Sequence, residues 1–295
     1  MADAWRLAAA RKARRDVSHD AVEFALSRHG QTHRASGGTP LRFRTGQSAL
    51  RWFDQHLKGI APPKREAAVR YFVLGENQWR EDAAWSPREA KTARWYLHSQ
   101  GQANSLAGDG QLTSKAPSNA AAEQFVYDPN NPVPTLGGAN THLLPDLIGA
   151  KDQRAIEERK DLLVYTSESL RQPLTLAGPM RAVIHAASDA THPDFTAKLV
   201  KVRPDGFARL ITQGIRRGAV STTAAPYQIE MGEMTLRLEK GSRLRLEFSS
   251  SNFPRYERHP NNSEDPMRTA KFQAAKQTIH HGSRYVSYVE LSHLK

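Results

Sequence analysis

Apolar positions recur along this chain with two periods, and the change falls near residue 60. In QSALRWFDQHLKG (47–59), Leu50, Phe53 and Leu57 stand at i, i+3 and i+7 and share one face of a helix. Asp54 and Lys58 are an oppositely charged i, i+4 pair. Gly59 sits where a C-terminal cap is wanted, and Pro62 and Pro63 prevent continuation. Residues 1–28 are rich in Ala and Arg, with helical propensity but no clean apolar stripe, and the loop GQTHRASGGTP follows them. From residue 67 the period shortens to two. Strands are expected at 67–75, 93–99, 123–128, 161–167, 173–178, 180–188, 194–202, 207–213, 233–239, 242–248 and 283–291. In RPDGF, Pro204 pre-sets φ and Asp205-Gly206 supply the positive φ of a tight hairpin; EKGS, with Gly241, predicts a second. Many short strands without alternating helices favour a mainly β sandwich or jelly roll over a parallel α/β sheet.

Three stretches break the alternation. Residues 103–121 are Ala- and Ser-rich and read as a loose surface loop. Residues 128–160 are rich in Pro, Gly and Asn; a connection of that length is functional or packed against something else. After GSRLRLEF comes SSSNFPRYERHPNN (249–262), where Pro254 ends sheet pairing and the serines and Asn252 can hydrogen-bond exposed backbone. No internal repeat is visible.

Composition narrows the function classes. With 39% hydrophobic and 24% charged residues the chain can bury a core. No run of eighteen apolar residues suggests a membrane partner, and the first residues lack the apolar region of a secretory leader, so the cytoplasm is favoured. The absence of cysteine excludes disulfides, thiolate metal sites and a Cys nucleophile. A net charge of +12 raises nucleic acid, but only RKARR (11–15) is a basic run. Arginines elsewhere often alternate, as in RLRLEF, the pattern of a solvated sheet face, and no nucleic-acid partner is expected.

Candidate chemistry is sparse. The nucleophile elbow G-x-S-x-G is absent; GQSAL (46–50) approaches it, lacks the second glycine and makes Ser48 a helix-start residue. There is no dinucleotide fingerprint, P-loop or H-E-x-x-H, and no cofactor is expected. His280 and His281 are adjacent, so on a strand they point to opposite sides and chelate poorly together; no metal is expected there. His29, in SRHGQTHR, is either a surface histidine or the base of a Ser-His-Asp triad. On α/β-hydrolase folds the order is Ser, Asp, His, yet only 28 residues precede His29, and their serines, Ser18 and Ser27, stand in no elbow.

Five blocks in order carry a resemblance: RWFDQHLKG, RYFVLGENQWRED, FVYDPNNPVPTLGG with DQRAIEERKDLLVYTSESL, DFTAKLVKVRPDGFARLITQGIRR, and RLRLEFSSSNFPRYERHPNN. From about residue 29 onward the sequence resembles the C-terminal half of the CocE/NonD serine hydrolases, a family of cocaine esterases, X-prolyl dipeptidyl-peptidases and α-amino-acid ester hydrolases. The resemblance implies an α/β-hydrolase domain with a helical cap, followed by a galactose-binding-like jelly roll. Residues 1–60 would then be a helical remnant of the hydrolase domain, with 1–28 an atypical start, and 61–295 the jelly roll. The family's triad histidine lies in a G-P-W-x-H segment upstream of the RWFDQHLKG block; His29 falls at about that place, with ALSRH instead of Gly-Pro-Trp. Nothing matches the family's catalytic serine and aspartate.

Two function classes follow. In the first the chain is part of a serine hydrolase of acyl esters or amides, inactive alone, which meets a substrate only if a catalytic domain is supplied and forms a homo-oligomer or associates with a catalytic chain. In the second it is a β-sandwich module for carbohydrate binding or scaffolding, with Trp79, Trp85 and Trp95 as candidate platform residues or as core. The fold alone separates neither.

Overall fold

The computed structural model describes residues 45–61, 67–118, 121–140, 148–218 and 222–294. It is 47% strand and 6% helix, a mainly β protein as the alternation predicts. Two compact units emerge, Met1–Glu89 and Ala90–Lys295.

In the first unit, helix α1 (Thr45–Lys58) forms where the 3.6-residue period predicts it. Lys58 Nζ meets Asp54 Oδ1 at 2.6 Å, and Gly59 takes φ +70 beyond the last turn. The apolar stripe is bare: Leu50, Phe53 and Leu57 are 63%, 48% and 73% exposed. Strands β1 (Val69–Val73) and β2 (Gln78–Asp82) form an antiparallel hairpin in which Phe72 faces Trp79 directly.

The second unit is one hydrogen-bonded network of eleven strands. They are β3 (Lys91–His98), β4 (Gln111–Thr113), β5 (Ala121–Tyr127), β6 (Leu163–Ser167), β7 (Leu174–Ser188), β8 (Asp194–Val202), β9 (Ala208–Arg217), β10 (Ala225–Leu238), β11 (Arg243–Ser249), β12 (Ala275–His281) and β13 (Tyr288–Leu294). Their order is β5-β12-β7-β13-β3-β4-β6-β11-β8-β9, with β10 also on β7. The path folds back on itself, because β6 reaches β12 through the Tyr165–His281 ring contact and β8 reaches β10 through Phe195–Tyr227. Between the arms lie Leu97, Ile184, Phe195, Leu199, Leu246, Phe248 and Val289, all fully buried. Each such side chain contributes about 1.5–3 kcal/mol. The two arms touch at Gly214, where a Cβ would sit 2.0 Å from the Glu230 carbonyl oxygen.

Several expected elements differ. Residues 173–178 and 180–188 are one strand, β7: Pro179 is exposed and pairs with Glu233, where a register shift in β10 absorbs the missing N–H. The Gly241 turn is no hairpin, because β10 pairs with β7 whereas β11 pairs with β6 and β8; the turn hands the chain from one arm to the other. Residues 103–118 are not a loose loop. Ala103 and Ser105 are buried, β4 pairs with β3 and β6, and at Gly110 a Cβ would meet the Val164 carbonyl at 2.1 Å. Strand β12 escaped the alternation because its inward residues include Gln277 and His281.

Strand β8 is buried along its whole length. One face meets the core; the other is covered by the 128–160 connection, which carries the short helix α2 (Arg154–Glu157). Gln153 N–H donates to the Ala208 carbonyl at 2.8 Å, and Asp152 bridges to Arg209. The alternate arginines of β11 therefore do not share a solvated face: Arg243 is exposed, whereas Arg245 is buried beneath α2.

Candidate functional site

A serine, a histidine and an acid do meet in the second unit, from positions that sequence reasoning did not pair. Ser99 follows β3, Glu123 lies on β5 and His281 on β12. Strand pairing sets Glu123 opposite Ile279, two residues from His281 and on the same inward face. Ser99 Oγ donates to Glu123 Oε1 and lies 2.9 Å from His281 Nε2. It also accepts from the Gly101 N–H at 3.1 Å, and Glu123 Oε2 accepts from the Ala103 N–H at 3.0 Å. His281 Nε2 is 3.5 Å from the same carboxylate.

The proton direction decides what this cluster can do. The single Ser99 proton goes to Glu123, so in the tautomer that protonates Nε2 the His281 N–H is shared between Ser99 Oγ and the Glu123 carboxylate. A nucleophilic serine needs the reverse, its own proton pointed at an unprotonated imidazole nitrogen. Burial pushes the Glu123 carboxyl up, but the hydrogen bonds from His281, Ser99 and Ala103 outweigh it and leave it below the usual range. Glu123 is an anchor for three donors, and the cluster pins the 99–103 turn to β5 and β12.

A second polar cluster lies between β8, β11 and α2. Lys198 and Glu247 are direct cross-strand partners, 2% and 1% exposed. Beside them Arg245 Nη1 donates to Glu157 Oε2 at 2.5 Å, with both side chains buried. Lys198 Nζ meets no acceptor, and neither Glu247 oxygen nor Glu157 Oε1 meets a conventional donor. Burial is the largest influence on Glu247 and raises its pKa to about 8; the Lys198 charge opposes the rise, and Glu157 adds to it through its charge and a shared hydrogen bond. A protonated Glu247 has the proton to donate to Glu157. Burial lowers the Lys198 pKa, with Glu247 and Glu157 opposing.

The 249–262 segment is tied to 127–140, although Ser250 Oγ, Asn252 Oδ1 and Asn261 Oδ1 are buried without a hydrogen-bond partner. Val133 N–H donates to Ser251 Oγ at 2.9 Å, Thr135 Oγ1 to the Asn252 carbonyl at 2.9 Å, and Asn252 Nδ2 to Gln213 Oε1 at 2.8 Å. Tyr127 OH reaches the His259 carbonyl at 3.2 Å, and Arg255 Nη1 reaches Asn140 Oδ1 at 2.6 Å. Phe253, 42% exposed, Pro254 and Glu257 reach the surface. The serines and asparagine of this block are structural ties between two long connections.

The residues singled out from the sequence do not converge. His29, Ser18 and Ser27 lie outside the described residues. Ser48 is in the first turn of α1. His280 and His281 face opposite sides of β12, His281 inward to Glu123 and His280 across to His185. The tryptophans form no row: Trp85 packs on Tyr71 at 5.6 Å and Trp79 on Phe72 at 5.3 Å, from neighbouring positions of β1 that face opposite ways, while Trp95 belongs to the second unit. The aromatic pair on a sheet face is Tyr96 with Tyr288, 5.9 Å apart, beside a groove of about 550 Å³ lined by Thr92, Ala93, Arg94, Tyr96, Ser114 and Glu290. Among the described residues, no three His, Asp or Glu side chains gather as a metal site, and no helix is long and apolar enough to cross a membrane.

The second unit is a folded-back β sandwich. Its family is defined by residues 63–290, which match the X-Pro dipeptidyl-peptidase C-terminal non-catalytic domain. The chain belongs to that family and is a C-terminal portion of a CocE/NonD-type protein. It is 34% identical over 262 residues to the cocaine esterase of Rhodococcus sp. (strain MB1 Bresler), covering 83% of this chain and 45% of that one. An aminopeptidase from the marine sediment archaeon Thaumarchaeota archaeon has a similar fold, with a TM-score of 0.75 at 23% identity over 91% of this chain and 48% of that one. So does an α-amino-acid ester hydrolase, with a TM-score of 0.72 at 24% identity over 90% of this chain and 48% of that one. The chain thus spans about half the length of these relatives.

Proposed function

We propose that this chain is the accessory part of a serine acyl hydrolase that cleaves ester or amide bonds through a Ser-His-Asp triad, and that it is inactive alone. The observation that carries the reading is the match of residues 63–290 to a non-catalytic hydrolase domain. The cocaine esterase relative supports ester substrates, and the X-Pro dipeptidyl-peptidase family supports amide ones. The parent reaction forms an acyl-enzyme on a serine supplied by a catalytic domain, with a histidine as general base and an oxyanion hole from that same domain. His29 is the candidate histidine. The exposed stripe of α1 supports association with such a domain, since Leu50, Phe53 and Leu57 offer an apolar surface.

Fluorophosphonate labelling and p-nitrophenyl-ester hydrolysis test the reading, run on the chain, on His29→Ala and on Ser99→Ala. No labelling and no turnover are expected in any of the three. Labelling that vanishes in Ser99→Ala would overturn the proton-direction argument; turnover that vanishes in His29→Ala would point to Ser48 as an overlooked nucleophile. The Tyr96–Tyr288 pair beside its groove favours one second reading, saccharide binding, with an aromatic face as platform. Retardation in polysaccharide-containing gels that is lost in Tyr96→Ala would select it.

A further inference from the structure

His185 on β7 and His280 on β12 are direct cross-strand partners. Residues so placed point to the same side with Cβ atoms about 4.5–5.5 Å apart. Both imidazoles lie against Tyr285, with ring centroids at 5.6 and 5.3 Å. The strands are tied here by a hydroxyl: His185 N–H donates to Ser287 Oγ at 2.9 Å, and Ser287 Oγ donates to the His280 carbonyl at 2.7 Å.

The His185 ring is polarised. The Val286 backbone carbonyl favours a protonated ring nitrogen, while Nδ1 is buried and meets no hydrogen-bond partner. In the tautomer that protonates Nε2, Nδ1 presents a lone pair. A ring nitrogen without a hydrogen-bond partner is open to act as a metal-binding imidazole nitrogen. Burial lowers the pKa of both rings, and each is thereby kept in its neutral, ligating form.

We propose that His185 and His280 form a cross-strand site for one divalent transition-metal ion of the zinc or copper class. Imidazole pairs suit these ions rather than calcium or magnesium. No third His, Asp or Glu joins the pair among the described residues, so water or an outside donor fills the remaining positions. The ion would clip β7 to β12 where Ser287 stands between them.

Isothermal titration of the tag-free full chain with Zn²⁺ tests the proposal. Saturable binding of one equivalent is expected. It should weaken at least tenfold in His185→Gln and in His280→Gln, and persist in His192→Ala, a histidine on the exposed turn before β8. Thermal unfolding with and without Zn²⁺ gives a second readout: the wild type should melt higher with the ion, and His185→Gln should not move. Electron paramagnetic resonance of the Cu²⁺-loaded chain should show two equatorial nitrogens. Absence of saturable binding, wild-type affinity in either glutamine variant, or a copper signal without those nitrogens would each overturn the site.

Discussion

Glu247→Gln isolates the titration of the buried cluster under α2. Glutamine copies the size and the neutral state of a protonated glutamate, so the packing against Lys198 is kept while the titration is removed. In the folded protein Glu247 holds its proton up to about pH 8, against an ordinary value of 4.5. At about 1.4 kcal/mol per unit, that rise amounts to roughly 5 kcal/mol. The folded state binds the extra proton, so this contribution is complete below pH 4.5 and is lost as pH rises to about 8. Lys198 works in the opposite sense, since a depressed folded pKa makes stability rise with pH as its proton leaves. The two titrations are coupled, since each charge shifts the other's pKa, so the difference between wild type and Glu247→Gln reads the glutamate's titration together with its pull on Lys198. Urea denaturation at pH 5, 6, 7 and 8 measures it. The wild type should lose stability relative to the variant across that range, by a few kcal/mol in total. Parallel profiles would refute the reasoning and make Glu247 an ordinary carboxylate that shares no proton with Glu157.

Two further outcomes test the packing. Arg245→Ala leaves the fully buried Glu157 without its cation and should cost about 3–5 kcal/mol in urea denaturation, whereas a loss under 1 kcal/mol would mean that water replaces the pair. Gly214→Ala forces a Cβ to within 2.0 Å of the Glu230 carbonyl, so β9 and β10 must separate; a fall in stability of about 1–3 kcal/mol is expected, and an unchanged melting temperature would show that the two arms do not meet there.

The chain's own residue pattern settled the local elements. Period-two alternation over 194–202 gave β8 residue for residue, Asp205-Gly206 gave the turn into β9, and the stripe of α1 was legible because helix periodicity repeats within one segment. The ordered blocks carried the family for the same reason, since they are runs of neighbouring residues. Tertiary structure decided what was paired across distance. Ser99 and His281 lie 182 positions apart, and nothing local marks them as partners. Glu157 and Arg245, 88 apart, are conventional surface residues until α2 buries them. Strand β12 looked too polar to be a strand because its inward Gln277 and His281 find their surroundings only in the folded sandwich. Alternation records which face a residue occupies; whether that face meets water, a core or a covering connection depends on chain segments far away in sequence, and only the fold brings them together.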